Sequence, residues 1–185
     1  MTTRVVRISI FAALIAAITL SATGAAMAVT AAELNRDARA ALDRLVASQP
    51  AAKRLQRESK AILVFPKMVK AGFMFGGQIG EGVLFKRGKS AGYYSSVAAS
   101  YGLQAGIQSF SYALFFMTDD ALSRLDSSEG FEVGVGPSVV VVDQGMARSL
   151  TTTTLASDVY AFIFGQQGLM AGLGLQGSKI TRIAK

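Results

Sequence analysis

The sequence predicts an α+β domain in which N-terminal helices pack on a curved antiparallel β-sheet, barrel-like or sandwich-like. Two observations carry the prediction. Helical periodicity is confined to residues 31–60 and one later interruption after Thr118, whereas elsewhere from residue 61 onward apolar residues alternate or run in short bursts bounded by glycine. Helices gathered apart from strands that follow one another directly are the pattern of an antiparallel sheet rather than of a βαβ series.

The elements follow in order. Arg4 and Arg7 precede an apolar run from Ile8 to Leu20, and small residues then lead to Ala26-Met27-Ala28, the A-x-A form of a cleavage site. Residues 1–28 therefore read as a secretory signal removed on export. The competing reading is an uncleaved anchor, although the apolar run falls short of the ~20 residues that span a bilayer. Leu34, Ala38, Ala41, Leu42 and Leu45 then recur at helical spacing, with Glu33 and Asp37 near the start, where the helix dipole favours negative charge. Pro50 ends this pattern and opens a second short helix to about residue 60, since proline is tolerated in a first turn. Lys53, Arg57 and Lys60 share one face of it.

From Ala61 the pattern is β. Ala61 to Phe65 is an apolar run that Pro66 is expected to end. Phe73, Phe75 and Ile79, then Val83 and Phe85, fall on one predicted core face, and Gly80-Glu81-Gly82 supplies the reversal of a hairpin. Tyr93 to Tyr101 and Leu103 to Met117 read as strands separated by a bend at Gly102, and Ala113 to Met117, apolar on both faces, reads as central. Thr118 caps a helix with Asp119 and Asp120 in its first turn, and Gly130 ends it. Phe131, Val133 and Val135 alternate, Val139 to Val142 is a buried run, and Asp143-Gln144-Gly145 is a turn. Val159 to Phe164 and Leu169 to Leu175 flank a second predicted turn at Gly165-Gln166-Gln167-Gly168.

Charge narrows the function. The 157 residues after the signal hold 17 basic and 12 acidic residues, a net charge of +5, and no cysteine or histidine. Between Lys53 and Lys89 lie nine basic residues (Lys53, Arg54, Arg57, Lys60, Lys67, Lys70, Lys86, Arg87, Lys89) and two acidic ones, so this segment nets +7 and the remainder −2. A surface sorted in this way favours an anionic partner, and export toward anionic membranes favours lipid. Without cysteine there is neither a disulfide framework nor a thiol for lipid modification, so the fold stands on its core alone.

Catalytic patterns fail on context. Gly88-Lys89-Ser90-Ala91-Gly92 fits G-x-S-x-G, but no histidine exists to take the serine proton, and a Ser90–Lys89 pair sits in a predicted turn rather than at a strand-to-helix elbow. Gly172 to Gly177 fits G-x-G-x-x-G, yet only eight residues follow, too few for the helix and strand that give that fingerprint meaning. Asp119, Asp120, Asp126 and Glu129 form the one acidic group, better explained by helix capping than by metal binding. The phenylalanines among the cations alternate onto the core face, whereas nucleic-acid stacking platforms must be exposed. Tyr93, Tyr94 and Tyr101 suit either a membrane interface or the closing of a sheet edge. The expectation is a protein that is not an enzyme, with no cofactor, no metal and no nucleic-acid partner.

Several separated motifs agree on one resemblance. Val64 to Phe73, Gly76 to Leu84, Tyr93-Tyr94-Ser95, Gly102 to Gln108 and Gly168 to Ser178 together resemble the SYLF domain, in family order and over roughly Leu34 to Ile183, and most closely its exported bacterial branch. The resemblance implies a single domain over residues 29–185 and phospholipid binding, with phosphoinositides the ligands of eukaryotic relatives, some of which also bind actin. Ala91-Gly92-Tyr93-Tyr94-Ser95 departs from the tryptophan and proline of many eukaryotic members, so neither specificity carries over. The resulting expectation is a non-enzymatic phospholipid-binding protein of the bacterial cell envelope, exported and either periplasmic, membrane-associated or extracellular. Lys67 and Lys70 on one approach to the hairpin, and Lys86, Arg87 and Lys89 on the other, would meet anionic headgroups on one rim, with Lys53, Arg54, Arg57 and Lys60 extending it. The alternative is a structural envelope protein that binds a protein or polymer through its sheet.

Overall fold

A computed structural model of the chain describes residues 29–127, 130–133, 138–142, 157–168 and 177–185; the side chains of residues 73–75 and 100–105 lie outside that description. The predicted signal, Val135, the Asp143 turn and Leu169 to Leu175 all fall outside the described residues.

Helix α1 spans Ala31–Ser48 and α2 spans Pro50–Glu58, as the periodicity and Pro50 predict. Thr30 and Glu33 form a reciprocal capping box: the Glu33 N–H donates to the Thr30 hydroxyl at 3.2 Å, and the Thr30 N–H donates to the Glu33 carboxylate at 3.0 Å. The Thr30 backbone N–H, and after it the Thr30 hydroxyl, hold the Glu33 carboxyl below its ordinary value of 4.5. A depressed carboxyl stabilises the fold above its unfolded value and stops doing so as pH falls through the folded one. Stability should therefore decline below about pH 4.5, and less steeply in Glu33→Gln; equal slopes in thermal melts across that range would remove the cap from the account.

The sheet is built on two very long strands, β1 (Ala61–Lys86) and β2 (Lys89–Phe116), paired antiparallel from Ala61↔Phe116 to Lys86↔Lys89. The turn between them is Arg87-Gly88, not Gly80-Glu81-Gly82, and Pro66 lies within β1 instead of ending it. Proline is tolerated there because the register slips between Phe65 and Met68, a bulge, and the Ser111 hydroxyl donates to the Pro66 carbonyl at 2.6 Å. The bend expected at Gly102 is real: Phe73 pairs with Ala105 but Phe75 with Tyr101, leaving residues 102–104 opposite a single residue.

Drawn out straight, β1 would measure roughly 85 Å, since a strand rises about 3.3 Å per residue. Instead it curls over itself. A Cβ on Gly82 would stand 2.7 Å from both the Val64 carbonyl oxygen and the Phe65 ring, and one on Gly80 would stand 2.7 Å from the Lys67 carbonyl oxygen and collide with the Met68 sulfur. The two glycines thus serve as a self-crossing and not as a turn. The result is a half-barrel, and the α+β class holds.

Helix α3 (Asp119–Leu125) is capped by the Thr118 hydroxyl, which accepts from the Ala121 N–H at 3.2 Å; it ends at Leu125 rather than at Gly130. Among the described residues, strands β3 (Phe131–Glu132), β4 (Val139–Val141), β5 (Val159–Gly168) and β6 (Lys179–Ile183) complete a six-stranded sheet. Its order is β3-β6-β2-β5-β4, with β1 on the other side of β2. Residues 165–168, expected as a turn, continue β5. β6 pairs antiparallel with Tyr93–Val97, a strand that local pattern did not reveal. The sheet is mixed rather than wholly antiparallel, because β4 runs parallel to β5, and Val141 at its edge is exposed.

Both faces of the second half of β2 are covered, as its double apolar pattern requires. Ala113 and Phe115 join Ile62, Val64, Phe162 and the buried sides of α1 and α2 in one cluster. Tyr112, Leu114 and Phe116 join Phe65, Met68, Tyr94, Leu125 and Phe131 in the other. Val83 and Phe85 are core as predicted, but Ile79 is 58% exposed, because the curl carries its face outward.

Candidate functional site

The tip of the β1–β2 hairpin is Lys86-Arg87-Gly88-Lys89. Arg87 and Gly88 have φ of +49° and +74°, the paired left-handed conformation of a two-residue hairpin turn with right-handed twist. Glycine adopts it freely, whereas an arginine there costs about 1–2 kcal/mol. Asparagine would suit the position better, so the turn carries a strained cation at its apex.

Helix α1 fixes this tip. The Arg39 guanidinium lies 5.0 Å from the centroid of the Phe85 ring and donates to the Gly88 carbonyl at 3.0 Å. Cation–π attraction and a charge-assisted hydrogen bond therefore clamp the turn against the helix. Beneath it opens a cleft of about 260 Å³ lined by Arg39, Asp43, Gln56, Arg57, Ser59, Lys60 and Arg87 over a floor that includes Leu42, Ile62 and Phe85. Arg57 sits in the last turn of α2, where a cation complements the helix dipole. Lys60 follows the helix and pairs with Asp119 at 3.3 Å, both half or more exposed, a bond worth little against a competing ligand.

The structure distributes the nine predicted cations unevenly. Arg57, Lys60 and Arg87 line one cleft, and Lys86 and Lys89 flank its tip as a cross-strand pair. Lys53, exposed, and Arg54, half-buried, lie on α2 but do not line the cleft. Lys67 belongs to a different cleft of about 480 Å³, with Arg44, Ser109 and Gln167. Lys70 is only 6% exposed, so it does not present its charge to a surface as expected. The single rim inferred from a turn at Gly80-Glu81-Gly82 goes with that turn: the reversal lies at residues 87–88, and Lys67 faces Gly80 through its backbone.

Arg39 and Asp43 are the residues the sequence reading missed. Both lie on the polar side of α1 at i,i+4 spacing, a signal present in any amphipathic helix. Only the curl of β1, which returns the hairpin tip to α1, gives Arg39 its partners Phe85 and Gly88 and brings Asp43 into a cleft.

Several other polar groups singled out in the sequence have structural partners. The Tyr93 hydroxyl accepts from the Asn35 amide at 2.7 Å. The buried Tyr94 donates to Asp126, which also accepts from Arg182 at 3.3 Å; burial first, and then the Asp126 bond, push the Tyr94 hydroxyl up from its ordinary value. Asp119 and Asp120 pair with Lys60 and Arg124, so three of the four acidic residues considered for metal are already engaged. Glu129 lies outside the described residues. Ser90, in the G-x-S-x-G pattern, is exposed at the start of β2.

In comparison with known families, residues 97–184 fit the model of the Ysc84 family, described as Las17-binding protein actin regulator. Comparison with curated proteins finds no match. The family is associated with actin and lipid binding, which fits a binding role. The matched residues take in most of β2 and everything after it, but neither α1, α2, β1 nor the hairpin tip, so the cationic cleft stands on its own geometry. What the separated motifs resemble and what the family comparison finds agree: residues 97–184 match the model of the Ysc84 (SYLF) domain.

Proposed function

We propose that this protein binds anionic phospholipid headgroups peripherally, through the cationic cleft and the Lys86–Lys89 tip above it. The observation that carries the reading is the convergence of Arg57, Lys60 and Arg87 on one cleft, with Arg87 held there at the expense of backbone strain. Each cation near an anionic membrane surface contributes about 1 kcal/mol, so these three with Lys86 and Lys89 give reversible recruitment without deep insertion. No helix of the described residues is long and apolar enough to cross a membrane. Co-sedimentation with phosphatidylglycerol vesicles tests the reading. Binding should weaken steeply as salt rises, since exposed charges are screened over about 8 Å at physiological ionic strength; salt-insensitive binding would sink it.

The cell envelope of a bacterium is the proposed location, on the strength of the Arg4–Ala28 pattern, and the protein is proposed not to be an enzyme. Intact mass of protein from its host beginning at Val29 would agree with export, and a retained Arg4 would not. A second reading, binding of a protein or polymer through the sheet, has one observation in its favour: Ile79 and Val97 are cross-strand partners, 58% and 49% exposed.

A further inference from the structure

The cleft is not purely cationic. Asp43 stands in its wall, exposed, and makes no ion pair or side-chain hydrogen bond among the described residues. The nearby cations look elsewhere: Arg39 to Phe85 and Gly88, Lys60 to Asp119. A carboxylate so placed repels a bare phosphate and weakens a site meant for one. The cleft is also larger than phosphate needs, since its 260 Å³ far exceeds the about 10–15 Å³ of cavity that holds a single water. A ligand that carries a hydrogen-bond donor beside its phosphate resolves both points, because the donor fills the surplus space and turns Asp43 from a repulsive group into an acceptor.

We propose that the cleft under the hairpin tip reads a phosphate ester with a neighbouring donor, of the glycerol or ethanolamine type, its phosphate held by Arg57, Lys60 and Arg87 and its hydroxyl or ammonium by Asp43. This rests on the headgroup reading above and names the chemistry of that site. The same chemistry occurs in a lipid headgroup and in a free phosphate ester.

The test titrates the full chain with glycerophosphoglycerol, glycerophosphoethanolamine and inorganic phosphate, and separately with phosphatidylglycerol vesicles. Asp43→Asn should weaken at least one of the two donor-bearing esters about tenfold while leaving inorganic phosphate unchanged or tighter. If it tightens all three alike, Asp43 merely repels and the proposal falls. Arg87→Asn should weaken all of the esters about tenfold yet hold or raise the thermal midpoint, because Asn-Gly suits the turn; unchanged ester binding in that variant would place the ligand elsewhere and overturn the assignment. Ester binding without vesicle binding would uphold the cleft chemistry and reject the membrane as its source. Vesicle binding with no measurable ester binding would reject the cleft chemistry and leave the surface reading standing.

Discussion

Replacing Arg57, Lys60, Arg87 and Lys89 together by glutamate is expected to abolish binding to anionic vesicles while the chain stays folded. All four side chains are exposed, and none belongs to either core cluster. The one described ion pair lost is the surface contact of Lys60 with Asp119, which contributes little. Loss of four cations at about 1 kcal/mol each removes about 4 kcal/mol, roughly three orders of magnitude in affinity, and the reversed charges add repulsion. The informative control is Arg44→Glu with Lys67→Glu, in the second cleft, which should weaken binding far less. Equal losses in both variants would mean diffuse attraction to net charge and not a site. Retained binding in the four-site variant, with circular dichroism unchanged, would favour the apolar pair Ile79 and Val97 instead.

Gly82→Val is expected to be the most damaging single substitution in the sheet. Its Cβ would stand 2.7 Å from the Val64 carbonyl oxygen and the Phe65 ring, and backbone at a strand crossing cannot withdraw as a side-chain end can. The cost should reach about 3 kcal/mol or more, a large share of the 5–15 kcal/mol typical of a folded domain. Gly77→Ala offers the contrast. There the new Cβ would lie 3.5 Å from the Ala98 carbonyl oxygen, an ordinary contact, so the change should be nearly neutral. Urea denaturation of both variants checks this, and matching midpoints would mean that β1 does not cross itself at Gly82.

These two outcomes trace what could be read along the chain. The helices were legible because α1 carries its own instructions: acidic residues near its start and apolar residues at helical spacing through Leu45. Pro50 marked the start of α2, Thr118 that of α3, and the double apolar pattern of Ala113 to Phe116 marked a central strand. All are local or single-element signals. The glycines at 80 and 82 were misread as a turn because a turn and a close backbone crossing both call for a residue without a Cβ, and only the position of Val64 and Phe65 tells them apart. The true turn was hidden because its apex is an arginine, against the preference for that conformation.

The site divides in the same way. Composition alone determined that residues 53–89 carry the positive charge of this protein, and the separated motifs alone pointed to the SYLF domain. Which cations act together was decided by tertiary structure. The curl of β1 brings Arg87 back over α1 to join Arg57 and Lys60, leaves Lys67 in another cleft, and buries Lys70. Charge is a property of each residue and is written in the sequence; proximity of charges separated by some thirty residues depends on where a bulged strand folds over itself, and that is set by long-range packing that no local pattern encodes.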